Sequence, residues 1–252
     1  MKMFEVGGCI RDEIMGIKSN DIDFSVVMED SDFPDPNLTT VAPDPFMTMK
    51  VKLALEGFDI KVETPEHLTI RALFPKDHPT HRGGADFVLA RKEGTYSDGR
   101  RPDSVEVGTL KDDLARRDFT MNAIAKAEDG TLIDPFNGQA DIRDEVIRAV
   151  GDPFERLTED ALRALRALRF SVTKGFRIDP ALRFAMQSEA VLALIVNKIS
   201  DDRKRVELDK MLAFNTLATL RALETFPLLT DAIFDGSVSL EATMKTKGRG
   251  KS

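Results

Sequence analysis

The sequence has no tryptophan, one tyrosine and one cysteine among its 252 residues. A single cysteine excludes a disulfide within the chain and is typical of the reducing cytoplasm, so we expect a cytoplasmic protein. The longest apolar run covers only residues 190–196, whereas a membrane-spanning helix needs about 20 apolar residues. The first residues, MKMFEV, lack the apolar stretch of a signal peptide. We therefore predict no association with a membrane.

Several motifs of common enzyme classes are also missing. The chain has no G-x-G-x-x-G motif of the kind that binds dinucleotides. It has no G-x-S-x-G motif, so Ser-His-Asp catalysis has no support. Its three histidines, His67, His78 and His81, have no cysteine near them in the sequence, which argues against a zinc site.

Acidic residues outnumber basic ones, 43 to 36, and the formal net charge is −7. This balance excludes a protein that coats nucleic-acid duplexes with a uniformly basic surface. It does not exclude an enzyme that acts on nucleic acid, because binding depends on local charge. Arginines are in fact concentrated at residues 116–117 and 163–169. An aromatic surface for single strands would have to come from the 16 phenylalanines.

The pattern along the chain predicts the α+β class, with a mixed α/β part up to about residue 135 and a helical part from about residue 143. Alternating or continuous apolar residues predict strands at 4–6, 21–27, 58–63, 68–74 and 86–90. Helices are predicted at 9–16, 47–55, 161–172, 180–196, 201–214 and 217–225. Thr158 is the predicted N-cap of the helix at 161–172. Four prolines predict a loop at 29–45.

The first group of residues with chemical significance is a double glycine followed by two acids. Residues 7–12 read GGCIRD, at a predicted junction of strand and helix. Glycines there let backbone N–H groups approach a phosphate, and Arg11 adds a forked donor. Asp21 and Asp23 are two residues apart on a predicted strand, so both point to one face, as a Mg²⁺ site requires. Taken alone, these features favour the simpler interpretation of the glycines as a turn and the acids as a solvated surface.

Two further segments contribute candidates. Asp86 begins a predicted strand that could lie beside the strand of Asp21 and Asp23 and supply a third carboxylate; the alternative is an acid that caps a turn. Residues 112–123 read DDLARRDFTMNA. Three acids bracket Arg116 and Arg117, so one arginine is expected to pair within the protein and the other to bind a triphosphate. Asn122 could hydrogen-bond a ribose hydroxyl.

The last group is the segment 159–170, EDALRALRALRF. Asp160 and Arg163 are neighbours on a helix, and they either form a simple ion pair or present a fixed acceptor and donor edge to a nucleobase. Arg166 can share that site. Steps of three residues rotate by about 300°, so Arg169 should fall on the opposite side of the helix from Asp160 and reach the site only by its length.

Taken together, these motifs resemble the class II nucleotidyltransferases, the family of tRNA CCA-adding enzymes and bacterial poly(A) polymerases. The ordered segments that carry the resemblance are VGGCIRD (6–12), DID (21–23), LAR (89–91), RRDFTMNA (116–123), IDPFNG (133–138), IRAVGD (147–152) and EDALR (159–163). The resemblance continues to about residue 215. It implies a polymerase-β-like head with a mixed sheet (1–140), a helical neck and truncated body (141–235) and a basic flexible tail (236–252).

The resemblance also implies the roles of the site residues. Asp21 and Asp23 would hold Mg²⁺; Asp86, chosen from its place on a predicted strand and not from the resemblance, is the third candidate catalytic carboxylate. The nucleotide-binding residues that it implies are Gly8, Arg11, Arg117, Asp160, Arg163, Arg166 and Arg169, to which Asn122 is added for the hydrogen-bonding capacity of its amide. The expected reaction transfers CMP and AMP from CTP and ATP to a tRNA 3′ end. Two alternatives remain: A addition or poly(A) synthesis on RNA 3′ ends, and a non-catalytic RNA- or nucleotide-binding module.

Overall fold

A mixed sheet and a set of helices make up the described chain. The computed structural model describes residues 1–19, 21–33, 44–78, 83–94 and 104–235. The strands are β1 (Lys2–Val6), β2 (Ile22–Val27), β3 (Asp59–Thr64), β4 (Thr69–Leu73), β5 (Gly84–Leu89), β6 (Arg91–Glu93), β7 (Val105–Val107), β8 (Ala125–Lys126), β9 (Leu132–Ile133), β10 (Val146–Ile147) and β11 (Arg177–Ile178). The helices are α1 (Gly8–Ile14), α2 (Pro45–Leu55), α3 (Leu110–Ala115), α4 (Gly138–Arg143), α5 (Pro153–Glu159), α6 (Leu162–Lys174), α7 (Pro180–Ala185), α8 (Glu189–Lys198), α9 (Asp201–Thr225) and α10 (Pro227–Ile233).

The main sheet has the strand order β3-β4-β5-β2-β1-β8-β9. The central strand β2 runs antiparallel to β1 and parallel to β5. The register places Val6 opposite Asp23, and Asp23 opposite Asp86. Because β1 ends at Val6, the β1–α1 turn begins beside the strands that carry the two carboxylates. The sheet register thus positions the site.

One face of the sheet is covered by α2, whose buried residues Phe46, Met49 and Leu53 join a core with the sheet phenylalanines. Among these, Phe24 and Phe87 stack with ring centroids 5.0 Å apart. The helix begins at Pro45 because Asp44 accepts the backbone N–H groups of the first turn and proline suits that position. The apolar periodicity at 47–55 predicted the helix but not this start.

A second core holds the helical part together and includes residues of the sheet part. Cys9 and Ile10 of α1 lie in the same buried cluster as the leucines of α6, and α6 packs along α9. The expected α+β class, with a mixed sheet followed by helices, is confirmed. The exact boundaries at residues 140 and 235 stay a prediction. None of the described helices is long and apolar enough to span a bilayer.

Several local predictions need correction. The segment after residue 143 is not purely helical, because β10 and β11 pair in parallel. The predicted helix at 180–196 is two helices, α7 and α8. The predicted break between residues 214 and 217 is confirmed, because Asn215 leaves helical geometry and its side chain accepts the N–H of Ala218. His81, the stretch 34–43 within the predicted proline loop and the basic tail lie outside the described residues.

The predicted N-cap at Thr158 is wrong. Its hydroxyl lies inside α5 and donates to the carbonyl oxygens of Phe154 and Glu155. The helix α6 begins only at Leu162, whose N–H is accepted by the carboxylate of Asp160. Asp160 itself has an extended backbone, so it performs the capping that the sequence suggested for Thr158.

The start of α4 packs against the chain around Thr120 at very short range. A Cβ atom placed on Gly138 would lie 2.1 Å from the carbonyl oxygen of Thr120 and 2.9 Å from a side-chain carbon of Ile124. Backbone atoms cannot yield as a flexible side chain can, so only glycine fits this position.

We predict that Gly138→Ala lowers the free energy of unfolding by about 1–3 kcal/mol, the usual cost of forcing an extra group into a filled interior. The measurement is urea unfolding followed by circular dichroism. Arg143→Ala on the same helix is the matched control, because that side chain is 76% exposed and should leave stability unchanged. A Gly138→Ala protein as stable as the control would contradict the close approach.

Candidate functional site

A cavity of about 480 Å³ opens between the β1–α1 turn and the helix α6. Its walls carry an excess of positive charge, because arginines outnumber acids among them. The lining residues are Gly7, Gly8, Arg11, Asp23, Arg117, Asp118, Asn122, Asp160, Leu162, Arg163, Arg166, Arg169, Phe170 and Arg203. This composition fits a ligand with several negative charges and a polar edge.

The double-glycine turn brings backbone and side chains together at one end of the cavity. Gly7 has φ +81°, a left-handed conformation that favours glycine. A Cβ on this residue would lie 2.7 Å from Nη1 of Arg117 and 3.9 Å from Oδ2 of Asp23. The turn, Arg117 and the carboxylate of Asp23 therefore meet at one place.

Asp23 lies among other carboxylates. Burial raises its pKa, and the negative charges of Asp21 and Asp86 raise it further, whereas Arg117 and Arg71 act in the opposite direction. Asp86 is its parallel neighbour and also faces Arg71 at 3.6 Å. A carboxylate whose charged form is opposed by burial and by neighbouring acids, as Asp23 is, is stabilised by a bound cation.

The three acids do not form a closed set of ligands. In the part of the chain that the structure describes, no group of three or more His, Cys, Asp or Glu side chains is arranged to hold a metal ion. Asp21 precedes β2 and is exposed, and neither it nor Asp86 lines the cavity. Of these three acids, Asp23 is the one that lines the cavity.

Both members of the arginine pair bind one buried acid. Arg116 and Arg117 contact opposite oxygens of Asp113, at 2.7 and 3.1 Å, and Asp113 is buried. The sequence suggested that one arginine pairs internally and the other is free. Arg117 does both, because it also lines the cavity, and its Nε is buried without a partner.

A chain of hydrogen bonds crosses the floor of the cavity. Arg11 donates to the amide oxygen of Asn122 at 2.7 Å, and the amide nitrogen of Asn122 donates to Asp118 at 2.8 Å. The other oxygen of Asp118 accepts from Arg166 at 2.6 Å. Asn122 therefore fixes two charged neighbours. Its predicted bond to a ribose stays a prediction.

The ring of Phe170 carries three of the arginines. The guanidinium carbons of Arg169, Arg11 and Arg166 lie 3.9, 5.0 and 5.9 Å from the ring centroid. Cation–π contacts of this kind hold guanidinium groups close together without neutralising them. The apolar ring thus helps keep positive charge at the cavity wall.

Asp160 and Arg163 both line the cavity but do not pair with each other. Arg163 binds Glu159 at 2.8 Å and donates to the backbone oxygens of Arg156 and Arg116. Asp160 binds Arg203 at 2.8 Å. The simple i,i+3 ion pair is therefore wrong as an interpretation, because Asp160 precedes the helix and faces another partner.

Arg169 lines the same cavity as Asp160, which the helix rotation allowed only through the length of the Arg169 side chain. The rotation argument assumed that both residues belong to one helix, whereas Asp160 is extended. Arg169 is held there by Glu207 of α9 and by Phe170.

The sequence matches the family described as the poly A polymerase head domain over residues 3–148. The chain belongs to this family. The resemblance to class II nucleotidyltransferases is thereby confirmed. Enzymes of this type are typically metal-dependent.

Relatives and solved structures agree with the family. The CCA-adding enzyme of Limosilactobacillus fermentum is 41% identical over 209 residues, which are 82% of this chain and 45% of that enzyme. The CCA-adding enzyme of Bacillus stearothermophilus in complex with CTP superposes with a TM-score of 0.65 at 29% identity, covering 94% of this chain and 49% of that one. A tRNA nucleotidyltransferase complexed with a primer tRNA and an incoming ATP analogue gives a TM-score of 0.67 at 28% identity, covering 93% and 60%. The chain spans about half the length of the relatives it matches.

In this poly A polymerase head-domain protein, the cavity brings together most of the residues chosen from the sequence. Those inside it are Gly8, Arg11, Asp23, Arg117, Asn122, Asp160, Arg163, Arg166 and Arg169. Sequence reasoning assigned no ligand-binding role to four further lining residues, Asp118, Leu162, Phe170 and Arg203. Asp118 and Phe170 lie within motifs already noted, but Arg203 lies on α9, 43 residues from its partner Asp160.

We predict that ionised Asp118 stabilises the folded protein, and that this contribution is lost in acid. Burial alone raises its pKa, but the charge of Arg166 and hydrogen bonds from Asn122 and Arg166 lower it to about 2. The unfolded value is about 3.9, so the contribution, on the order of 2 kcal/mol, is present above about pH 4 and is lost as the pH falls towards about 2. Urea unfolding should therefore show the advantage of the wild type over Asp118→Asn shrinking between about pH 5 and about pH 2. An advantage that stays constant with pH would contradict this assignment.

Proposed function

We propose that this chain carries the catalytic site of a template-independent tRNA nucleotidyltransferase. The reaction adds CMP and AMP from CTP and ATP to the tRNA 3′ end and releases pyrophosphate. The observation that carries the proposal is Asp23 beside the double-glycine turn, at the edge of an arginine-lined cavity of about 480 Å³. The names of the relatives, CCA-adding enzymes and a tRNA nucleotidyltransferase bound to primer tRNA, support the substrates. A cytoplasmic location stays a prediction.

The acids at the site fit magnesium. Mg²⁺ is usually bound by one or two carboxylates together with substrate phosphates and water, so a closed set of protein ligands is not required. Asp21 and Asp23 are the two we assign to it, and the raised pKa of Asp23 supports a bound cation. Bound there, the ion would activate the 3′ hydroxyl and neutralise charge on the leaving pyrophosphate. The catalytic role of Asp86 remains a proposal.

The chain's own residues bind and orient the nucleotide. Gly8 gives the triphosphate access to the backbone, and Arg11 and Arg117 supply forked donors beside it. Arg166 and Arg169, which share the ring of Phe170 with Arg11, add further positive charge. Asp160 and Arg163 face the base with an acceptor and a donor, so a base with a mismatched edge leaves buried polar groups unpaired.

We predict that Asp21→Ala and Asp23→Asn abolish nucleotide incorporation while the protein stays folded, because each removes one of the two carboxylates that we assign to Mg²⁺. The assay uses a tRNA that ends before CCA and each labelled nucleotide in turn. Asp202→Asn is the control, because that side chain is 90% exposed on α9. Full activity in Asp21→Ala would show that the metal assignment is wrong.

The same assay separates the two other functions. Repeated incorporation of ATP alone would indicate A addition or poly(A) synthesis. Binding of nucleotide or RNA without incorporation would indicate a binding module. Incorporation of C and then A supports CCA addition.

We predict that replacing Asp160 or Arg163 by Ala changes the choice between CTP and ATP more than it weakens binding of the triphosphate. The reason is that these residues face the base, whereas other arginines hold the phosphates. The ratio of kcat/KM for the two nucleotides, together with the Kd for pyrophosphate, measures both effects. An unchanged ratio in both variants would contradict the role in base selection.

A further inference from the structure

The carboxylate of Asp160 is held by two contacts from different parts of the fold. Oδ1 accepts the N–H of Leu162 at 3.1 Å, at the start of α6. Oδ2 accepts Nη2 of Arg203, on α9, at 2.8 Å. Each carboxylate oxygen can accept two hydrogen bonds. Asp160 lines the cavity, and each of its oxygens can therefore accept one more hydrogen bond. The two existing contacts fix the orientation of the carboxylate.

Arg163 does not take part in this arrangement. Its Nη1 and Nη2 atoms donate to Glu159 and to two backbone oxygens rather than to Asp160. Arg203 is therefore the cationic group that orients Asp160 in this structure. The ion-pair partner of Asp160 thus comes from α9, whereas the sequence suggested Arg163 of α6.

The guanidinium of Arg203 is not fully satisfied. Its Nη1 is buried and has no hydrogen-bond partner. A buried donor without a partner costs free energy, and such groups in native proteins call for an explanation beyond stability. A group kept in the cavity wall at this cost, in contact with a base-facing carboxylate, points to a role in the site.

We propose that Arg203 is a positioning residue for Asp160, and that through Asp160 it selects nucleotides whose base carries an exocyclic amino group next to a ring nitrogen that accepts a hydrogen bond. This proposal rests on the function proposed above. Cytosine and adenine share that edge, whereas uracil and guanine present a carbonyl oxygen beside an N–H. A carboxylate accepts a hydrogen bond from the amino group of cytosine or adenine. It repels the carbonyl oxygen of uracil or guanine, and the N–H beside that oxygen is left unpaired.

The test compares Arg203→Gln and Arg203→Lys with Arg205→Gln. Arg205 lies two residues away on α9, is exposed and contacts only Asp202 among the described residues at 3.4 Å, so Arg205→Gln is the matched control. For each protein, the Kd of CTP, ATP, UTP and GTP is measured without RNA. The kcat and KM for each nucleotide are then measured on a tRNA that ends before CCA. Thermal unfolding checks that the variants are folded.

We expect Arg203→Gln to reduce the preference for CTP over UTP, and for ATP over GTP, by about 10-fold or more, which is the usual size of one lost base contact. The loss should lie mainly in Kd and KM, because the phosphate arginines and Asp23 are unchanged. Arg203→Lys should recover part of the preference, because it restores a cation beside Oδ2. The Arg205→Gln protein should behave as the wild type.

Two results would overturn the proposal. One is an unchanged preference in Arg203→Gln. The other is an equal loss for all four nucleotides, with no recovery in Arg203→Lys, since a purely structural role would affect them alike. The RNA-free binding data keep the two proposals distinct. A wild type that discriminates in binding but adds nothing to tRNA would contradict the proposed function and leave the role of Arg203 testable.

Discussion

Opposite charge holds the arginines of the cavity in place. Each of the six arginines that line it has its own carboxylate partner within the described residues. The pairs are Arg11 with Asp12, Arg117 with Asp113, Arg163 with Glu159, Arg166 with Asp118, Arg169 with Glu207 and Arg203 with Asp160. Unpaired guanidinium groups at this density would repel one another and lose hydration. The carboxylate partners allow the six arginines to lie close together, and the positive charge of the cavity depends on this closeness.

This arrangement leaves donors free where a ligand needs them. A carboxylate occupies one or two of the five N–H groups of a guanidinium, so the rest can face an anion in the cavity. Because the anchors are buried or tied to helices, the donors are oriented before a ligand arrives, and little reorganisation is needed on binding. Phe170 adds to this, since its ring holds three guanidinium groups without consuming any N–H. The fold therefore separates two tasks, neutralising charge on the protein side and presenting donors on the ligand side.

Local patterns predicted the sheet part well and the partner choices poorly. The apolar segments at 21–27 and 86–90 predicted two strands. Both segments carry their acids near one end, so Asp23 and Asp86 were expected to lie close together, as the parallel pairing of β2 and β5 places them. Arg163 was different, because acids precede it by three and by four residues, and spacing alone cannot choose between them. Arg163 binds Glu159 because the chain is extended at Asp160 and α6 starts after it. The partner of Asp160 comes from α9, and no local signal links two residues so far apart.

The two walls of the cavity belong to one packed interior. Phe119, beside the predicted phosphate-binding arginines, meets Phe170 of α6 edge to face, with centroids 5.8 Å apart. Ile10 of α1 lies in the same buried cluster. Interiors of this density transmit small shifts instead of absorbing them. A movement of α6 relative to the glycine turn would therefore disturb the lining residues of α6 and those beside the turn together. The site acts as a unit because its apolar support is continuous, although its polar residues come from separate segments of the chain.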